Sequence, residues 1–371
     1  MPTRIASQLK RGDVGHAWLL LGPRGSGKRP VAIAMAAALN CQTLPLVGCG
    51  TCSSCVRILR SRHPDVHRIQ PEGPLIPVDL IRETVIAEAS RSPFEGHYKV
   101  FIIEEAERMN EAAQSSLLKS LEEPQPTTVF LLISDQEDDL LDTIRSRCRV
   151  LRLEPMSEAR VVELLRKAGA PEATAVTAAR LAEGDLERAR ALAFDPAAIA
   201  RRGVWLSIPR RLASPLDALD AAGEIIAEAA TAGKALEAAQ KAEVVDLAEA
   251  MGEGRGTASV RNALLSRHKR EARRLHEEVL GEALAHLASF YKDVVVARSG
   301  GREAVSNLDL SEELELWTAS ELSDGVLLSA VGRCLRARAG LPQNANPLLA
   351  LEAAMVEIAR DVPADAGRAA R

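Results

Sequence analysis

Four cysteines, Cys41, Cys49, Cys52 and Cys55, fall within one short stretch of the chain. Two Cys-x-x-Cys steps that share Cys52 have the spacing of a closed structural zinc site, in which four thiolates surround one ion. Gly48 and Gly50 permit the tight loop that returns the chain towards Cys41. His63 and His67 are alternative donors, and a disulfide framework is the other reading of the cluster. Six cysteines in all, with Cys148 and Cys334 far from the rest, suit a reducing compartment and a metal better than disulfides.

The same region interrupts a second constellation. Gly22-Pro23-Arg24-Gly25-Ser26-Gly27-Lys28-Arg29 follows the G-x-x-x-x-G-K-[ST] pattern at every position but the last. Glycines Gly22, Gly25 and Gly27 let the backbone curl so that successive N–H groups face phosphate oxygens, and Lys28 reaches the β- and γ-phosphates. Position 29 should supply a hydroxyl to magnesium, and an arginine there cannot accept the metal. Downstream, Val100-Phe101-Ile102-Ile103-Glu104-Glu105 has the layout of a strand that ends in a metal-facing acid followed by a water-polarising acid. Glu104 stands where aspartate is expected, and its extra methylene crowds the metal position. Both magnesium-binding elements are thus altered: hydrolysis is not expected, while ATP or ADP binding stays open.

The elements that must carry these residues alternate over the first 150 positions. His16 to Leu21 reads as a strand, Gly22 to Lys28 as a glycine-rich turn and Arg29 to Leu39 as a helix; Val100 to Ile103 and Val129 to Ile133 are two further strands. Asn110 caps a helix whose Leu117, Leu118 and Leu121 share a face and which Pro124 ends. Such alternation predicts right-handed βαβ units and a parallel sheet. After about residue 155 the texture becomes helical. Ser157 to Ala193 reads as two or three short helices with Ser157 as N-cap and Gly184 as a break. Long helices follow from about Pro196 to Arg371, punctuated near Gly252 to Gly256, Ser299 to Arg302 and Gly340 to Pro347. The basic run Arg267 to Arg274 is either a solvated helix face or a nucleic-acid patch.

A length of 371 residues calls for two or three domains, and aromatic residues at 3% favour helical layers and a parallel sheet over a sandwich. A net charge of −4 removes a global field for nucleic acid, so any DNA contact must be local. The apolar string Trp18 to Leu21 is too short for a signal or spanning segment, which points to a cytoplasmic protein without a membrane partner.

Several motifs, taken in order, resemble a named family. Leu140-Leu141-Asp142-Thr143-Ile144-Arg145-Ser146-Arg147-Cys148 resembles the Ser-Arg-Cys signature of AAA+ clamp-loader subunits, and Ser120-Leu121-Glu122-Glu123-Pro124 is similar to their Leu-Glu-Glu-Pro turn. His16-Ala17-Trp18-Leu19, the phosphate loop, the cysteine insert, His63-Pro64-Asp65 and the acidic strand occur in the family's order. Asn344-Ala345-Asn346-Pro347-Leu348-Leu349-Ala350-Leu351-Glu352 is similar to its last collar helix.

The resemblance implies an α/β AAA+ P-loop domain with the zinc module at 41–55 (residues 1–155), a small helical lid (156–197) and an all-α, helical collar for oligomerisation (198–371). It implies a stator of DNA polymerase III's five-subunit ring, with gamma or tau and delta subunits, the sliding clamp beta and primer-template DNA as partners. In that ring Arg147 would be an arginine finger acting in trans on a neighbour's ATP, with Arg145 and Arg149 close in sequence; alternatively Arg147 pairs with an acid at the domain edge. Arg188, in Gly184-Asp185-Leu186-Glu187-Arg188, resembles the lid's sensor arginine at a spacing that differs by one. Only about fifteen residues precede His16, so the segment that encloses adenine in related subunits is expected to be shortened. The stretch Ile76 to Arg82 is expected to begin a helix facing the DNA backbone, with Arg82 on phosphate or simply exposed. Two rivals remain: an active gamma- or tau-type ATPase, and a zinc-bearing nucleic-acid-binding module, against which few aromatics and an acidic balance argue.

Overall fold

Five strands, β1 (Ala17–Leu21), β2 (Val66–Ile69), β3 (Lys99–Ile103), β4 (Thr128–Ser134) and β5 (Arg149–Arg152), form one sheet in the order β2-β3-β4-β1-β5 with every pairing parallel. The computed structural model describes residues 3–71, 75–251, 255–341 and 346–362. Residues 252–254 and 342–345, within two of the expected helix breaks, lie outside the described residues, as does the start of the Asn344 motif.

The strands β1, β3 and β4 are buried at every residue, as expected of strands covered on both faces. Alternation sends Leu19, Leu21, Phe101, Ile103, Phe130 and Leu132 to one face, where Leu117, Leu121 and Ile144 meet them. Trp18, Leu20, Val100, Ile102, Val129 and Leu131 go to the other, against Met35, Leu39 and Ile58. The expected helix at Arg29 begins one residue earlier, as Lys28–Leu39. Asn110 does cap helix Glu111–Glu122, accepting from the N–H of Ala113 at 2.8 Å.

The sequence reading did not include helix Thr3–Lys10, helix Ser53–Leu59 or the strands β2 and β5. β2 and β5 are the two edges of the sheet, and their charged residues fit a half-exposed position. The helix expected from Ile76 starts at Val78, and Ile81–Ile86 runs with π-type hydrogen bonding.

The chain divides into two compact units, residues 1–161 with 182–188, and residues 162–181 with 189–371. The second is all helical. Its core gathers Trp205, Phe290, Tyr291 and Trp317; Phe290 and Trp317 meet edge to face at 5.3 Å between centroids. The long helices Pro215–Met251 and Arg255–Arg298 pack on each other, and Pro347–Asp361 is capped by Asn346. Among the described residues no helix is long and apolar enough to cross a membrane.

Candidate functional site

The carboxyl ends of the central strands β1, β3 and β4 place the phosphate loop, Glu104 and Asp135 at one end of the sheet, the end at which ligand crevices form in open α/β folds. Gly22 leaves β1 at φ 153°, and a Cβ there would stand 2.1 Å from the Leu153 carbonyl oxygen. Gly25 at φ 79° packs against Asp185, whose Cβ would be 2.6 Å from an added methyl; Gly27, also at φ 79°, caps the helix. Only glycine tolerates this path.

The loop is closed on itself. Lys28 is buried, and its Nζ donates to the carbonyls of Gly22 at 2.5 Å and Pro23 at 2.7 Å and pairs with Asp135 Oδ1 at 2.9 Å. Next to it, Arg29 Nε donates to Glu104 Oε2 at 2.8 Å, and Arg68 donates to Glu104 Oε1 from Nε at 3.1 Å and Nη2 at 2.6 Å. Glu104 is only 3% exposed, so the acid placed for a metal is instead neutralised by two guanidinium groups. Glu105, at φ 51°, pairs with Arg108 at 3.0 Å. Arg188 presents its backbone N–H to Asp185 Oδ1 at 3.1 Å, while its buried Nε has no hydrogen-bond partner among the described residues.

Neither Arg68 nor Asp135 was singled out by the sequence. Asp135 carried a usable signal, an acid directly after a buried strand. Arg68 lies on an edge strand with little apolar pattern and could be found only through the fold.

The four cysteine sulfurs lie within 4.8 Å of one another, with Cys41 and Cys52 3.9 Å apart. Four thiolates at about 2.3 Å from one tetrahedral ion would sit about 3.8 Å from each other, so this cluster can hold a metal ion. Backbone N–H groups already serve the sulfurs: Leu44 and Cys49 donate to Cys41 Sγ at 3.2 and 3.3 Å, and Cys52 donates to Cys49 Sγ at 3.2 Å. Hydrogen bonds from the Thr51 side chain and backbone lower the Cys49 thiol to about 5, whereas burial pushes Cys55 up to about 12. His63 and His67 are outside the cluster: His63 Nδ1 accepts from the Asp65 N–H at 3.2 Å, and His67 stacks on Phe101.

Asp65 shapes the neighbouring loop. Its buried carboxylate accepts from the backbone N–H groups of Phe94 at 2.6 Å, Glu95 at 2.9 Å and Gly96 at 2.7 Å.

Arg147 lies just beyond the short helix Asp142–Arg145. Its Nη1 donates to the Thr143 carbonyl at 2.8 Å and its Nη2 pairs with Glu122, with the side chain one-third exposed. Arg145 pairs with Asp142, and Arg149 pairs with Asp13 at 2.6 Å while lying over the Trp18 ring. Burial pushes the Cys148 thiol up to about 12, as for a packing residue. Arg82 is exposed on the π-helical turn. In the basic run, Arg273 and Arg274 pair with Glu277 and Glu278 at 3.1 and 2.8 Å, the arrangement of a solvated helix face.

Residues 2–157 match the family model described as "DNA polymerase III, delta subunit". The chain is 37% identical over 152 residues to the DNA polymerase III subunit delta′ of Bacillus subtilis, covering 41% of this chain and 46% of that protein. It is 45% identical over 141 residues to the subunit delta′ of Pseudomonas aeruginosa, covering 37% and 43% of the two chains. To the subunit tau of Escherichia coli it is 31% identical over 205 residues, 51% of this chain and 30% of that one. The matched part thus spans about half the length of the delta′ relatives.

Proposed function

We propose, from the match of residues 2–157 to the model described as "DNA polymerase III, delta subunit" and the likeness to delta′ subunits, that the chain is a clamp-loader stator: it hydrolyses no ATP itself and lends an arginine to a neighbouring ATPase subunit. The observation that carries this reading is the pairing of Arg29 with buried Glu104, which sets an ion pair at the two positions where a magnesium-binding hydroxyl and aspartate are expected. The guanidinium of Arg147, in contrast, stays at the surface. Phosphoryl transfer gains from a fixed guanidinium because charge spreads over the transferred group's oxygens. Arg147 would supply that charge to ATP on a gamma or tau subunit.

The same reading takes delta subunits, the sliding clamp beta and primer-template DNA as further partners, with Arg82 on a DNA phosphate. It takes a cytoplasmic location and a division into residues 1–155, 156–197 and 198–371 as AAA+ core, lid and collar. Zinc is the ion proposed for Cys41, Cys49, Cys52 and Cys55, since four clustered thiolates favour a soft, tetrahedral cation. It would tie the 41–55 loop together and supply no reaction chemistry. ATP or ADP could bind only after Lys28 exchanged Asp135 and two carbonyls for phosphate.

The test is a complex reconstituted with gamma or tau and delta subunits. Arg147→Ala should leave assembly intact and reduce clamp- and DNA-stimulated hydrolysis by about 10³-fold. The isolated chain should not turn over ATP. Turnover by the isolated chain at the rate of an active loader would favour the ATPase reading instead, and salt-dependent DNA binding by the chain alone would favour the nucleic-acid module.

A further inference from the structure

Glu122 is the last residue of helix Glu111–Glu122, and this helix is fixed before it reaches that end. Ala113, Leu117 and Leu121 are buried in the core beneath the sheet, and Asn110 caps the start. Gln114, itself buried, accepts from the Leu141 N–H at 2.8 Å and donates to the Asp139 carbonyl at 3.1 Å. The segment that leads into Arg147 is thereby stitched to the helix that carries Glu122. Ile144 anchors the short helix from below in the same cluster.

An exposed arginine ordinarily samples many rotamers. Here one end of the guanidinium is tied to the Thr143 carbonyl and the other to the Glu122 carboxylate, which sets the plane of the group. With side chains 33% and 47% exposed, the pair contributes little to stability, so its effect lies in orientation. The guanidinium fork carries five N–H donors, and these two anchors leave donors to offer a phosphate.

We infer that Glu122 is a positioning residue for Arg147, holding its guanidinium in the orientation that meets a neighbouring subunit's nucleotide. This rests on the reading of Arg147 as a residue acting in trans. The carboxylate touches neither substrate nor reacting atoms; it acts through the arginine alone.

The experiment uses the reconstituted clamp-loader complex and measures ATP turnover with clamp and primed DNA for wild type, Glu122→Ala, Glu122→Gln, Arg147→Ala and the double variant. Glu122→Ala should lower kcat by about ten- to a hundredfold, the scale of a misplaced catalytic group, with KM for ATP changed less than about twofold. Glu122→Gln, which keeps an acceptor oxygen, should fall between it and wild type. The double variant should be no slower than Arg147→Ala, because the glutamate has no route to the reaction except that arginine. A simple structural defect would instead add to the loss. Turnover of Glu122→Ala within about twofold of wild type, beside a large loss in Arg147→Ala, would overturn the assignment while sparing the finger. A rise in turnover with Glu122→Gln would also overturn it, since that marks an acid restraining the arginine. Full turnover in Arg147→Ala would sink both readings.

Discussion

Arg29 Nε lies 2.8 Å from Glu104 Oε2, joining the last position of the phosphate loop to the acid at the end of β3. These are the two positions at which the sequence departs from a magnesium site, and in the fold they are partners. A longer acid and a cationic side chain are each poor for a metal, yet together they make a charge-assisted hydrogen bond. The loss of one metal-binding element is thus matched by the loss of the other.

Replacing Arg29 should therefore cost stability without restoring catalysis. Arg29→Ser removes one of the two guanidinium groups that pair with buried Glu104, and a lost hydrogen bond to a charged group is worth about 1.5–3 kcal/mol. Thermal or denaturant unfolding should show a drop of that size. ATP turnover by the isolated variant should stay at background, since Glu104 still stands where the metal-binding aspartate is expected; a gain to the rate of an active loader would mean that the hydroxyl alone was missing.

Fresh, reduced protein should contain one equivalent of zinc per chain by metal analysis, and Cys49→Ser should lower the occupancy. Thiolate is the ligand form, so affinity should weaken as pH falls and thiols are reprotonated. Less than about half an equivalent in unoxidised protein would count against a closed four-cysteine site.

Asp65 makes the stability of the first unit sensitive to acid. Burial alone would raise its carboxyl, but the N–H groups of Glu95, Phe94 and Gly96 outweigh it and hold the value below the ordinary 3.8. The stabilisation is complete above 3.8 and is lost as pH falls through the lowered value. His63 adds a milder limb: burial lowers its value from 6.5, so stability is complete above 6.5 and declines as pH falls towards the lowered value. Asp65→Asn should destabilise by about 2–3 kcal/mol at neutral pH and flatten the lower limb, as read from denaturant midpoints across pH. An unchanged acid limb would show that Asp65 does not control it.

In the helical unit, the buried Asp293 accepts from the Ser306 N–H at 3.0 Å and from the Asn307 N–H and side-chain amide at 2.7 Å each. Arg202 in turn donates to Asn307 at 2.7 Å, and Arg180 donates to the Val305 carbonyl at 2.7 Å. Asp293→Ala strands buried donors and should cost about 3 kcal/mol, with hydrogen exchange rising first at residues 305–307. Protection unchanged there would place the hold on that segment elsewhere.

Residue types and local spacing were enough for the parallel α/β core, the strands β1, β3 and β4, the capped helix after Asn110 and the cysteine cluster. Each is a short-range pattern: continuous apolar runs mark strands covered on both faces, and thiols a few residues apart must share a neighbourhood. The edges β2 and β5 escaped because a half-exposed strand carries charge and keeps no such run. Tertiary structure alone decided how the charges pair. Arg29 is 75 residues from Glu104 in sequence, Arg68 is 36 from it, and Arg147 is 25 from Glu122. The sequence offers each arginine many acids, and nothing in local periodicity selects among them. The crossover connections that bring strand ends together make the choice, which is why the phosphate loop was legible in the sequence and its closure was not.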